Sequence, residues 1–127
     1  MPKTKEFTDW FKKAQDDLKI VQIVLKEKAP YWVACFHAQQ AVEKSLKAAQ
    51  IYFLNDFQKE HDLVLLLSSL KEKIKIESIY SECLKLSGFY VTTRYPGIKE
   101  LEITLKDAVV AEKAAEKVIN FIKNQIK

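Results

Sequence analysis

Apolar residues recur along this chain at intervals of three and four, and no stretch shows the one-on, one-off alternation of a strand. Over residues 4–28, Phe7, Phe11, Ala14, Leu18, Val21 and Leu25 make a nearly coiled-coil seam that faces one partner line. Residues 30–54 predict a second helix, with Pro30 in its first turn. At about 100° per residue, Cys35, Ala38, Val42, Leu46, Ala49 and Phe53 share one face. His37, Gln40, Lys44 and Lys47 take the other side, but Val33, Phe36 and Ile51 lie there too. A helix with apolar residues on both sides is normally enclosed on both. Its second face is therefore expected to meet another subunit or to line a cleft. HDLVLLLSSL begins a shorter third helix, with Asp62 or Asn55 as the cap. A fourth helix runs from about residue 78 to 91. The last starts at TLKD, where Thr104 and Asp107 have capping-box spacing with Asp in place of Glu or Gln. The pattern predicts an all-α, up-and-down antiparallel bundle of four main helices plus one short helix, in a single domain over residues 1–127.

Composition agrees. The 127 residues are 48% hydrophobic and 30% charged with two glycines and three prolines, which favours a few long helices joined by short turns. There is no 20-residue apolar run to span a membrane, since His37, Gln39 and Gln40 interrupt the longest uncharged stretch, 29–42. MPKTKEFTDW lacks the apolar core of a signal peptide, and Cys35 and Cys83 read as buried thiols rather than a disulfide. Both features point to a reducing cytoplasm. The net charge of +4 permits nucleic acid or nucleotide as a partner without demanding it. The lysines alternate with acids, as in KEK, KEKIK and AEKAAEK, which is the pattern of solvated faces.

One stretch stands apart. Lys and Arg together number 21, and Arg94, in TTRYPG, is the one arginine among them. Pro96 and Gly97 stop the fourth helix here, so Arg94 falls on its last turn or just past it. Lysine would complement a helix C-terminus nearly as well; what it lacks is the planar fork that grips carboxylate or phosphate with two hydrogen bonds. The fork suits an anion arriving from outside. It equally suits an internal ion pair with a buried acid such as Glu43 or Asp62, and a lysine-rich coding habit would leave Arg94 with no special role.

FHAQQAVEKSLKA at 36–48, EHDLVLLL at 60–67 and YVTTRYPG at 90–97 together resemble the HEPN domain family, over essentially the whole chain. The resemblance implies a nucleotidyltransferase substrate-binding-like bundle, often a homodimer, whose members are frequently paired with a minimal nucleotidyltransferase in toxin–antitoxin modules. It also implies nucleotide binding. The family's metal-independent ribonucleases carry a histidine after the arginine, with four to six residues between the two. Here those places hold Lys99, Glu100 and Leu101, and no histidine follows His61. Neither lysine nor leucine readily replaces imidazole as a base near neutral pH. Catalysis would need His37 or His61 brought to Arg94 by folding.

The other candidates are modest. Cys35 and His37 point about 200° apart on a helix, so no metal site is expected. Tyr31, Trp32 and Phe36 suit a core or dimer contact better than a base-stacking platform. No cofactor is implied. The sequence therefore reads as a HEPN protein that holds a nucleotide or RNA phosphate at Arg94, with Tyr95, Lys44, Lys47 and Lys99 in support, and that pairs with a minimal nucleotidyltransferase. The alternatives are a metal-independent endoribonuclease toxin and a non-catalytic scaffold.

Overall fold

The computed structural model describes residues 2–28, 30–89 and 103–126, and in them every regular element is helical. In chain order these are α1 (Pro2–Glu27), α2 (Tyr31–Leu54), α3 (Leu63–Ser68), a 3-10 turn (Ile76–Ser78), α4 (Tyr80–Ser87) and α5 (Leu105–Gln125). They form the expected all-α, up-and-down bundle. The end of the fourth helix near Val91 and the TTRYPG stretch lie outside the described residues.

α2 is the central post. It packs along α1 and α5, while α4 lies on α5 and α3 on α4. The α1 seam is used as expected: Phe11, Ala14 and Val21 are buried, and Phe7, Leu18 and Leu25 pack half-buried against the core. From α2, Cys35, Ala38, Val42, Leu46 and Ala49 are fully buried, with Phe53 half-buried beside them. Leu63, Leu66, Leu67 and Leu70, together with Ile79, Cys83 and Leu86, close one end. Each such large side chain, fully buried, contributes about 1.5–3 kcal/mol.

The second side of α2 is covered largely from within the chain. Ile51 is fully buried and Lys47 nearly so, whereas Val33 and Phe36 remain half-buried near the helix start. The aromatic cluster divides likewise: Tyr31 packs on the core and Trp32 faces solvent.

Helix ends follow local chemistry. Pro30 stands at the N-cap of α2, one residue before the helix, in extended backbone. α2 stops at Asn55, whose φ of 66° is the left-handed conformation Asn tolerates well and whose N–H donates to Ile51 O. Asp62 caps α3, accepting from the N–H groups of Val64 and Leu65. Thr104 and Asp107 complete the reciprocal capping box of α5. The fourth helix starts two residues late, because Ile76–Ser78 tighten into a 3-10 turn and Ile79 leaves helical geometry. KEKIK lies outside any helix, though its charged residues are solvated as expected. No helix of the described residues is long and apolar enough to cross a membrane.

Candidate functional site: two buried carboxylates on the polar side of α2

Two acids sit inside the α1–α2 packing, and each gathers a lysine and a histidine. Asp17 falls on the α1 seam between Ala14 and Val21, so the helix carries it inward, where it is 5% exposed. His37 Nδ1–H donates to its Oδ1 at 2.8 Å and Lys44 Nζ donates to its Oδ2 at 2.7 Å. His37 and Lys44 are two helical turns apart on α2, so one carboxylate from α1 reaches both.

Glu43 repeats the arrangement. Also 5% exposed, it accepts from Lys47 Nζ at 3.0 Å and from His61 Nδ1–H at 3.0 Å, both on Oε2. Gln39 Nε2 lies 3.4 Å from its Oε1. Lys47 is one turn along α2, and its ammonium also faces the rings of Trp10 and Phe57, each centroid 5.8 Å away. Those rings meet at 5.0 Å.

His61 comes from the 55–62 connection, which α2 fixes through Gln50. The Gln50 amide donates to Gln58 Oε1 and Ser69 Oγ, both at 2.8 Å, and its oxygen accepts from the Gln58 N–H at 3.0 Å. Glu60 then receives the N–H of His61 at 3.0 Å and turns the chain into α3.

The chemistry of the pairs follows from the acceptors. A carboxylate accepts hydrogen bonds, so each imidazole presents Nδ1–H to it, and in the neutral ring of His37 the lone pair is on Nε2. That is the orientation of a carboxylate-positioned general base. With neutral imidazoles each cluster balances one negative against one positive charge. Lys47, 7% exposed at its side chain, is spent on Glu43, whereas Lys44 at 27% keeps contact with solvent. The His37 side chain is 25% exposed and that of His61 54%, so ligands have more access to His61.

The candidate residues thus divide into three groups. His37, Lys44, Lys47, His61 and Glu43 converge on α2. Asp62 is at the α3 cap, and Glu43, the other acid considered for Arg94, is engaged by Lys47 and His61. Arg94, Tyr95 and Lys99 lie outside the described residues. Asp17, Trp10 and Phe57 were not singled out by the sequence, although an acid inside an apolar seam was a usable signal for Asp17. Both thiols are inert by placement: burial, helped by the negative charge of Asp107 for Cys35 and of Glu82 for Cys83, pushes each up to about 12. Cys35 is in the core while His37 faces Asp17, and among the described residues no cluster of His, Cys, Asp and Glu is arranged to hold a metal.

The sequence model described as "HEPN domain" matches residues 7–125, nearly the whole chain. The chain belongs to the HEPN family. A relative from Methanocaldococcus jannaschii, named "Putative toxin MJ1304", is 31% identical over 133 positions, covering 93% of this HEPN chain and 86% of the relative. Two crystal structures share the fold. TT1696 from Thermus thermophilus superposes with a TM-score of 0.84 at 26% identity, over 94% of this chain and 98% of its own. ST0689, described as an archaeal HEPN homologue, gives 0.77 at 27% identity, over 95% and 98%.

Proposed function

We propose that this HEPN protein is the toxin-type component of a two-protein toxin–antitoxin module and works in the cytoplasm. The observation that carries this reading is the likeness to the M. jannaschii relative, over 93% of this chain and 86% of the relative, and its name. In the proposal, the chain binds the phosphate of a nucleotide or RNA through Arg94, with Tyr95, Lys99 and the partly exposed Lys44 around it, and a minimal nucleotidyltransferase is its partner. Lys47 acts from behind through its ion pair with Glu43, the carboxylate that also holds His61. The protein works as a homodimer, an arrangement supported by half-buried Val33 and Phe36 and exposed Trp32 at the start of α2, which leave apolar surface for a second copy.

The test is binding of AMP and of a short oligouridylate to the purified protein. Arg94→Lys keeps the charge but removes the fork, so affinity is expected to fall about tenfold or more, the scale of one charge-assisted hydrogen bond. Unchanged affinity for both probes would contradict the phosphate site. Loss of melting temperature without loss of binding would instead favour a scaffold in which Arg94 serves stability.

One observation favours a second reading, a metal-independent endoribonuclease. Asp17 positions His37 as a base at 2.8 Å, supplying an imidazole that the sequence lacks after Arg94. In that reaction His37 Nε2 takes the 2′-hydroxyl proton and the 2′-oxygen attacks phosphorus. The bond to the 5′-oxygen breaks, and the imidazolium returns the proton to that oxygen. The products are a 2′,3′-cyclic phosphate and a 5′-hydroxyl. Cleavage in EDTA that disappears in both His37→Ala and Arg94→Lys is the result this reading requires.

A further inference from the structure

Away from the carboxylate clusters, α4 and α5 enclose an open cleft of about 250 Å³. Glu82 and Lys85 of α4 line one wall, and Val110, Lys113, Ala114 and Lys117 of α5 the other. The spacings of three, four and seven residues put each set on one helix face. Lys117 Nζ meets Glu82 at 3.0 Å. Partial burial raises the Glu82 carboxyl, but the hydrogen bond from Lys117, a backbone hydrogen bond and the charges of Lys117 and Lys85 outweigh it and hold the group below the usual glutamate range. Among the described residues, neither Lys85 nor Lys113 forms an ion pair. Counting its described lining residues, the cleft holds three cations against one committed anion, a formal surplus of two positive charges over an apolar floor.

The shape and residue types narrow the occupant. Ligand pockets run to about 300–1,000 Å³, so this open cleft encloses a side chain rather than a whole nucleotide. Among the described residues that line it there is no arginine fork for a bidentate phosphate and no aromatic ring on which a base could stack. Val110 is a large apolar residue left 41% exposed in this lining, which it shares with long lysines whose stems widen the apolar surface. An apolar side chain seated on Val110 and Ala114, with carboxylates one turn to either side, meets both features. We propose that this cleft docks an acidic amphipathic segment of a partner protein, its carboxylates reaching Lys85 and Lys113.

The full chain is titrated against a fluorescein-labelled helical peptide with a central leucine flanked by glutamates one turn away on each side. Its glutamine counterpart and an oligouridylate are run in parallel. Lys85→Glu and Lys113→Glu are each expected to weaken the acidic peptide about fivefold or more, by like-charge repulsion. Glu82→Gln is expected to tighten it about twofold, because Lys117 is released. Lys85→Ala and Lys113→Ala repeat the test without charge reversal, should the glutamate variants fold poorly. No binding of the acidic peptide, equal binding of the glutamine peptide, or indifference to every lysine change overturns the proposal. So does tighter, lysine-dependent binding of the oligouridylate, which would make the cleft a nucleic-acid surface.

Discussion

At the scale of single residues, the two buried acids differ in what each leaves behind when removed. Glu43→Gln strands Lys47, 7% exposed and enclosed by Trp10 and Phe57, without its counter-charge. A buried, uncompensated ammonium costs about 3–5 kcal/mol. Asp17→Asn leaves Lys44, which at 27% exposure reaches water, so about 1–2 kcal/mol is expected. Urea denaturation of the two variants checks the order, and equal losses would contradict it. The thiols provide a pH test. Both fold with a pKa of about 12, above the ordinary cysteine value, so their contribution is intact below about pH 8.5 and is lost as pH rises towards 12. Cys35→Ala and Cys83→Ala should therefore flatten alkaline destabilisation, and native-state alkylation should run no faster than unfolding. Glu82 works with the opposite sign: its lowered pKa adds stability above the usual glutamate range, lost as pH falls through the folded value. Lys117 is well exposed, so that contribution is small.

At the scale of elements, the bundle was legible because helical burial is periodic and caps are local chemistry. The seams of α1 and α2, the Asp62 cap and the Thr104–Asp107 box all depend on residues within a few positions of one another. Thr104→Ala should cost about 1 kcal/mol, measured by thermal melting, with α5 fraying first. The connection at 55–62 was not legible, because its path is set by Gln50, which bonds Gln58 within it and Leu66 and Ser69 beyond it, sixteen to nineteen residues away. Hence His61 could be named as a candidate but not placed on Glu43. The end of α1 carries a cost that sequence does not announce. Lys28 has a φ of 65°, a left-handed conformation that costs a non-glycine side chain about 1 kcal/mol. Lys28→Gly is expected to raise stability by about 0.5 kcal/mol, since glycine's greater freedom when unfolded takes back part of the gain.

At the scale of the whole molecule, α2 is walled in by its own chain more than its two-sided sequence pattern implied. Short α3 and the 55–62 connection cover part of the face that periodicity assigned to another subunit or a cleft. What remains half-covered is the start of the helix, around Val33, Phe36 and His37. Sequence could count charges there but not neutralise them, because ion pairs between residues 17 and 44 depend on the fold. The candidate site thus changes character, from a row of cations to two balanced clusters with positioned imidazoles. The likeness to a relative named a putative toxin supports a toxin-type role, and Arg94 is the residue on which the proposal turns. Growth of a bacterial host after induction of the chain alone tests it most directly. The account predicts arrest that Arg94→Lys relieves, at equal soluble expression and melting temperature. Unimpaired growth with the wild-type chain, or arrest that survives Arg94→Lys, would contradict it.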